Sequence, residues 1–288
     1  MSASHAVDPL VSHEGGDDRR IPLNDGHRMP RVGLGVYKMT DDEVAAAVAL
    51  ALDAGYRAID TAAMYGNEAG VGAALAASDV PRGDVFVATK VRFEDNGYDS
   101  TLRAFDDSLV KLRTDYVDLY LIHWPAPLRD RYVEAWRALI RLREEGRARS
   151  IGVCNFHPEH LDRIVAETGV IPAVHQVELH PRFPQHRVRA YDANLGIITQ
   201  AWSPLARGRL LDEPVLTRIA RAHGVTPAQV VLRWHLENDV TVIPKSVNPD
   251  RIRQNLDLFG FSLTSADHRA IADLETGERT GVDPNDRN

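Results

Sequence analysis

Residues 32–38 read Val-Gly-Leu-Gly-Val-Tyr-Lys, and this short stretch decides between two fold classes. An apolar strand, VGLGV (32–36), gives way to a polar turn. In a doubly wound α/β sheet the first strand leads into a glycine-rich loop whose third glycine lets the helix pack close to the strand. Gly33 and Gly35 fit that pattern, but Lys38 stands where the third glycine belongs. The fingerprint fails, and the pattern that follows points elsewhere. Seven more strand candidates come at 56–62, 85–91, 117–124, 150–156, 174–179, 196–202 and 240–246. Most are apolar runs rather than alternating ones, as expected of parallel strands covered on both faces. Helix candidates fill the gaps at 41–55, 67–77, 99–112, 131–145, 158–167, 186–194 and 212–223, with further ones at 227–238, 249–258 and 265–274. The first starts with acids and ends at Gly55, and Ser265 is the expected N-cap of the last. Eight alternating strand–helix units predict a (β/α)₈ TIM barrel with extra helices near the C-terminus. Ahead of it, IPLNDGHRMP (21–30) predicts an N-terminal β-hairpin turning at Asp25-Gly26.

The chain of 288 residues is 44% hydrophobic and 26% charged, enough for a large core. A formal charge of −7 argues against nucleic acid or an anionic membrane as partner. A phosphorylated ligand would then need its own basic pocket. No apolar run is long enough to span a bilayer. The single cysteine allows no internal disulfide, which suits a reducing cytoplasm. Residues 1–20 are polar, lack the apolar centre of a signal peptide, and are expected to be a disordered extension that tightens near Arg20. No linker divides 21–288, which predicts one domain, and no interface stripe stands out, which predicts a monomer.

In such a barrel the chemistry sits at the C-terminal ends of the strands. The second strand ends with Asp60, and Tyr65 follows just past it. The third ends with Lys90 and the fourth with His123, Trp124 and Pro125. Later strands end with Cys154-Asn155, Gln176 and Glu178, Trp202-Ser203-Pro204, and Lys245-Ser246. Singly, each has a plain structural role. Asp60 can cap a turn, Tyr65 can pack half-buried, Lys90 can lie on the surface, and His123 can be a satisfied core histidine. Four ionisable groups at the ends of three successive strands have no comparable structural explanation. A tyrosine, with an ordinary pKa of about 10, becomes a general acid near neutrality only if its anion is stabilised. A lysine cation does this, an aspartate keeps that lysine charged, and a nearby histidine can hydrogen-bond a carbonyl oxygen. The set suits protonation of a carbonyl oxygen during reduction, and it lacks a strong nucleophile.

These residues sit in segments that resemble the aldo-keto reductase family. AIDTAAMYGNEAGVG (58–72), VATKV (87–91), DLYLIHWP (118–125), RSIGVCNF (149–156), HQVELHP (175–181), AWSPLARG (201–208) and IPKSVNPDRIRQN (243–255) match the family's segments in order, over residues 21 to 283. Trp202 and the short ending TGERTGVDP (276–284) look most like its bacterial 2,5-diketo-D-gluconate reductase-like members. The resemblance implies a catalytic tetrad of Asp60, Tyr65, Lys90 and His123. Tyr65 would donate the proton, its pKa lowered by Lys90, with hydride coming from NADPH.

The resemblance also implies a cofactor site. Asn155 and Gln176 would hold the carboxamide, and Trp202 would stack on the nicotinamide. Ser203 to Gly208, including Leu205, would cover the pyrophosphate, with Gly35 and Val36 also against the cofactor. Lys245, Ser246 and Arg251 would meet the 2′-phosphate, Val247 would also bind the cofactor, and Gln254 and Asn255 would lie near adenine. An arginine fork and a lysine point charge suit an anion in an acidic protein. Arg251 could equally be part of a solvated helix face, and for Arg253 that plain reading is preferred. One position departs from the family: Cys154 replaces the usual serine, and a thiol is a poorer hydrogen-bond donor. Tyr37, Phe93 and Trp124 are expected to wall the substrate pocket with apolar surface. A short C-terminal segment is expected to leave that pocket open to small aldehydes, α-dicarbonyls and keto-sugars. Two other readings stay in play. One is a Schiff-base aldolase using Lys90, which leaves Lys245, Arg251 and Trp202 without purpose. The other is an NADPH-sensing regulatory subunit. His123, His175 and His180 form no clear metal-ligand set, and Glu178 with His180 is expected at a surface turn.

Overall fold

A hairpin opens the described chain, residues 19–288 of a computed structural model. The extension expected at 1–20 falls mostly on residues 1–18, which lie outside the described residues; Arg20 itself begins β1 (Arg20–Pro22). β1 pairs antiparallel with β2 (Arg28–Pro30), and the turn between them uses Gly26 at φ +90°.

Eight parallel strands follow, at the positions where the apolar runs placed them. They are β3 (Leu34–Gly35), β4 (Ala58–Asp60), β5 (Phe86–Val91), β6 (Val117–Ile122), β7 (Ala148–Cys154), β8 (Val174–Glu178), β9 (Ile198–Trp202) and β10 (Thr241–Val242). Each pairs with the next in chain order. A parallel bridge between Val32 and Val242 joins the last strand to the first, with Gly33 N donating to Val242 O and Val242 N to Arg31 O, both at 2.9 Å. The result is the (β/α)₈ barrel that the sequence predicts. Gly35 lies at this closure, where a Cβ would come within 2.6 Å of the Ile243 carbonyl oxygen. The outer layer is α1 (Asp41–Asp53), α2 (Glu68–Ala77), α3 (Tyr98–Leu112), α4 (Tyr132–Glu144), α5 (Pro158–Thr168), α6 (His186–Asn194) and α7 (Pro214–His223). Beyond these come α8 (Pro227–Glu237), α9 (Pro249–Leu256) and α10 (Ser265–Ala272). Thr264, not Ser265, caps α10: its side chain accepts from Asp267 N, and Asp267 returns the bond to Thr264 N. An acid at the third helical position completes that reciprocal pair, and Ser265 has no equivalent three residues on.

The two-residue period of a strand sorts its side chains into inside and outside. Val87, Val91, Tyr120, Ile122 and Val153 face the helices and join the large core. Phe86, Ala88, Leu119, Leu121, Cys154 and Val174 face the barrel axis and form a second apolar cluster. Leu23 and Met29 of the hairpin complete that inner cluster, and Asn24 donates to Pro172 O at 2.9 Å. The hairpin therefore plugs the end of the barrel opposite the strand C-termini.

The glycines of 66–72 serve geometry. Gly66 takes φ +71° in the turn before α2. A Cβ on Gly70 would meet Asp41 O at 2.6 Å, and one on Gly72 would run into the Lys111 carbonyl and lie 2.7 Å from the Leu112 carbonyl carbon. Helix α2 thus lies in backbone contact with α1 on one side and the end of α3 on the other. Gly72→Ala should lower unfolding free energy by about 1–3 kcal/mol through overpacking. Denaturant titration will show it, and a wild-type midpoint would mean that α2 can shift without penalty.

Candidate active site

The inward columns of β4, β5 and β6 continue upward from apolar to polar: Ala58 then Asp60, Ala88 then Lys90, Leu121 then His123. Lys90 has no solvent exposure, and a buried ammonium must be paired. Its Nζ donates to Asp60 Oδ1 at 2.5 Å and to the Thr61 carbonyl at 2.8 Å. Tyr65 comes from the short 3₁₀ turn Ala63–Tyr65 after β4, and its ring centroid lies 5.2 Å from Lys90 Nζ. His123 meets Tyr65 edge-on at 5.6 Å between ring centroids. The four predicted residues therefore converge on one point at the strand C-termini.

Their electrostatics depart from expectation in one respect. Burial raises the Tyr65 pKa strongly; Lys90 pulls it down, as predicted, but does not offset burial together with the Asp60 charge. The free protein therefore holds Tyr65 as a neutral phenol. Burial also works against the Lys90 ammonium, but Asp60 and its neighbours more than compensate, so Lys90 stays charged. Burial, then the Lys90 and Arg287 charges, hold His123 neutral, well below its ordinary pKa.

Two glutamines extend the network. Gln176 donates from Nε2 to Asp60 Oδ2 at 2.9 Å and to Gln200 Oε1 at 2.7 Å. Both of its N–H groups face inward, so its carbonyl oxygen is the group left to meet a ligand. Asn155 sits at φ +59°, a conformation that asparagine tolerates. It donates to His123 O at 2.9 Å and accepts from Trp202 Nε1 at 2.8 Å. Cys154 is fully buried in the inner apolar cluster, and burial pushes its thiol pKa up, as suits an unreactive packing residue.

The loops around the site are tied to one another. Asn67 accepts from Thr61 Oγ1 and donates to the carbonyls of Val36 and Met39, at 2.9 to 3.1 Å. That links the turn carrying Tyr37 to the turn carrying Tyr65, and their rings meet at 5.0 Å. Tyr37 is half exposed, while Val36 is buried. In the 203–208 loop, Ser203, Ala206 and Arg207 all have positive φ. Leu205 anchors the loop against the core, and buried His235 sits 3.1 Å from Pro204 O. Such strain persists only where the surroundings over-determine it. Further round, Ser246 Oγ accepts from Asn248 N at 3.1 Å, and Asn248 caps α9. Lys245 and Arg251 are exposed there, and neither side chain is ion-paired among the described residues. Val247 and Gln254 are exposed beside them and Asn255 is buried, while Arg253 faces Asp250 on the solvated side of the helix.

Two expectations are corrected. Glu178 and His180 are fully buried, not part of a surface turn. Glu178 accepts from Thr280 N and Oγ1 through Oε1 and from Gly281 N through Oε2 (2.5 to 2.9 Å), with His180 Nε2 at 3.2 Å. This strap causes the second correction: the C-terminal segment does not leave the pocket open. From Thr280 it runs past Trp202, pairs Asp283 with His157, and binds Leu128 N through Asn288 Oδ1. Arg287 then lies over Phe93 and Trp124, at 5.0 and 5.8 Å. Phe93 is largely covered, and acts as a floor under Arg129 and Arg287 more than as an open wall. Sequence reading missed Gln200, the Thr61 carbonyl, Asn67 and Arg287. The two-residue register of β9 could have flagged only the first, since Gln200 shares its face with Trp202 two residues on.

With the geometry in place, the chain can be compared with known proteins. Residues 31–276 match the model of the aldo/keto reductase family. This chain belongs to that family. An aldo-keto reductase of Mycolicibacterium smegmatis is 56% identical over 265 residues, covering 92% of this chain and 96% of its own. The methylglyoxal reductase DkgA of Yersinia pestis is 49% identical, covering 92% and 95%. Among solved structures, the D53A mutant of Gox0644 in complex with NADPH superposes with a TM-score of 0.89 at 48% identity, covering 92% and 97%. The family member described here is an NADPH-dependent oxidoreductase that reduces carbonyl groups. Its residues fit the cofactor's charge, because the unpaired Lys245 and Arg251 flank the amino end of α9, where an anion is favoured.

Buried histidines make the reductase acid-sensitive in a defined direction. Burial lowers the His235 pKa to about 3 from the 6.5 expected of the unfolded chain. Between these values the unfolded state takes up a proton that the native state refuses. Its contribution to stability is whole above pH 6.5 and is lost as pH falls. At pH 5 the loss from His235 is about 2 kcal/mol. Urea titrations at pH 7.5 and 5.0 will measure it, and His235→Gln, which keeps a donor for Pro204 O, should flatten the slope.

Proposed function

We propose that Tyr65 is the proton donor of carbonyl reduction, with Lys90, Asp60 and His123 as its working partners. The observation that carries this reading is the fully buried Lys90 ammonium, fixed by Asp60 and Thr61 with one N–H left on the side of Tyr65. When bound, NADPH supplies the hydride. Tyr65 holds its proton in the resting state because burial disfavours the phenolate. As negative charge develops on the substrate oxygen, Tyr65 gives up that proton, and Lys90 stabilises the phenolate being formed. The lysine's attraction thus counts most where charge appears, which is the differential binding that accelerates a reaction. Neutral His123 retains an N–H to hold the carbonyl oxygen.

Gln176, through its carbonyl, and Asn155 would hold the nicotinamide carboxamide, beside Trp202. The strained 203–208 loop would lie along the pyrophosphate. Lys245, Ser246 and Arg251 would hold the 2′-phosphate, with Val247, Gln254 and Asn255 nearby. Gly35 would keep the backbone close to the ring, although its contact with Ile243 already gives it a structural role. The tail over Phe93 and Trp124 supports small aldehydes, α-dicarbonyls and keto-sugars over bulky ketones as substrates. The Schiff-base reading is disfavoured because it needs a neutral amine, and Asp60 holds Lys90 charged. An NADPH-sensing subunit would have no use for Tyr65 placed against that cation. We further propose that residues 21–288 act as one domain, as a monomer, in the cytoplasm; the single buried cysteine and the absence of an apolar stripe in the sequence support this.

Tyr65→Phe should lower kcat for carbonyl reduction roughly 100- to 10,000-fold, with NADPH affinity kept. Steady-state assay plus NADPH fluorescence titration separates the two, and an unchanged kcat would refute the donor assignment. Arg251→Ala should weaken NADPH about 10- to 100-fold and leave NADH nearly unaffected. Equal loss for both cofactors would move the 2′-phosphate elsewhere.

A further inference from the structure

At the foot of the barrel, opposite the active site, the N-terminal hairpin and the barrel wall enclose a cavity of about 70 Å³. Arg20, His27 and Arg28 of the hairpin line one side of it. Arg149 of β7 and Asp118 of β6 line the other, beside Phe86. Asp118 is the only carboxylate among these described residues, and both its oxygens are taken. Oδ1 accepts from Arg149 Nη1 at 3.0 Å, and Oδ2 accepts from Arg82 Nη1 and Val87 N, both at 2.9 Å. Arg82 also donates to Thr114 Oγ1 and to the carbonyls of Val85 and Tyr116, so its donors are used.

Arg149 is held but not satisfied. Its guanidinium lies over the Tyr116 ring at 4.1 Å, and Arg82 lies over the same ring at 4.3 Å. Ring and carboxylate together fix the Arg149 fork, while its Nε and Nη2 have no partner among the described residues. Strand register brings two more cations to the same place. Arg20 pairs with Pro30 and Arg28 with Pro22, so both arginines project from one face of the hairpin and Ile21 and Met29 from the other. Like charges so placed repel. Arg28 Nη2 donates to the Arg20 carbonyl at 2.9 Å, which keeps the two close, and neither side chain meets a carboxylate among the described residues. In a chain of net charge −7, such a gathering of unmatched cations is a local exception.

We propose that this cavity is an oxyanion site for one phosphate group, which joins Arg20 and Arg28 of the hairpin to Arg149 of the barrel wall. Guanidinium forks match phosphate oxygens with paired donors, and the anion relieves the repulsion among them. The cavity has roughly the volume that two waters occupy in the liquid, which suits a single phosphate group and not a whole nucleotide. The site is separate from the reductase centre and does not depend on how that centre works.

The test is calorimetric titration of the full chain with inorganic phosphate at constant ionic strength. Saturating NADP+ keeps phosphate out of the cofactor site. The wild type should bind one phosphate with a dissociation constant of about 1 mM, as two or three charge-assisted hydrogen bonds give. Arg20→Gln and Arg28→Gln, both on the exposed face of the hairpin, should each weaken binding about tenfold. Arg28→Lys, which keeps the charge but not the fork, should weaken it less, and Arg251→Gln should leave it unchanged. Glycerol 3-phosphate separates two sources of the group. Binding of both ligands means that the phosphate end of a larger molecule is accepted, and binding of inorganic phosphate alone makes the free ion the ligand; either supports the site. Because the anion ties hairpin to barrel, about 10 mM phosphate should also raise the melting temperature by about 2–4 °C, and the Arg20→Gln/Arg28→Gln double variant should lose that rise. No heat in the wild type, or unchanged affinity and an equal rise in the double variant, would overturn the proposal.

Discussion

An ammonium group sealed from solvent sets the terms for the upper half of this barrel. Removing the counter-charge from such a group, or the group from its counter-charge, costs about 3–5 kcal/mol. Lys90 is therefore bound to Asp60, and Asp60 to a fixed place beside it. The second carboxylate oxygen of Asp60 then fixes Gln176, and Gln176 fixes Gln200. One buried charge thus orders side chains from four strands into a single polar layer. The same charge faces Tyr65, where burial alone would make a phenolate prohibitively unfavourable. Structural need and chemical use meet in one pair: the aspartate that makes the lysine tolerable also keeps it cationic.

The second constraint is the alternation of strand side chains. Residues two apart share a face, so each inward column passes from apolar to polar within a few residues. Ala88 and Leu121 fill the middle of the barrel; Lys90 and His123 emerge above them. The hairpin seals the lower end with Leu23 and Met29, leaving the strand C-termini as the open end. Closure itself depends on Gly35, whose missing Cβ lets the first strand approach Ile243. Cys154 belongs to the apolar level, packed among the inner side chains of the barrel.

Opposite the hairpin, the C-terminal segment closes the upper side. Buried Glu178 collects two backbone N–H groups and a hydroxyl from Thr280 and Gly281. A carboxylate bonded by several donors is stable in a buried position, and its pKa is lowered accordingly. The tail then narrows the pocket over Phe93 and Trp124, although it has no helix or strand of its own there beyond the turn Pro284–Asp286. The rim of the site is consequently shaped by residues far away in sequence, as Leu128 with Asn288 illustrates, at a separation of 160 residues.

Among the described residues, the eight barrel strands, the ten helices and the level of Asp60, Tyr65, Lys90 and His123 were legible in the sequence, because apolar periodicity, helix capping and strand-end polarity are local signals. The α10 cap slipped by one residue, since Thr264 and Ser265 are both good caps and only the reciprocal bond to Asp267 separates them. Sequence by itself determined the barrel, the identity of Asp60, Tyr65, Lys90 and His123, and the family. Tertiary structure alone decided that Gln176 turns its donors inward and that Glu178 and His180 are buried. It alone also brought Arg287 over the pocket and left Tyr65 protonated at rest. Each of these depends on which distant groups share a volume from which water is excluded. No local pattern encodes that volume: a carboxylate in "ELHP" reads as a turn until residues 280 and 281 arrive to bind it.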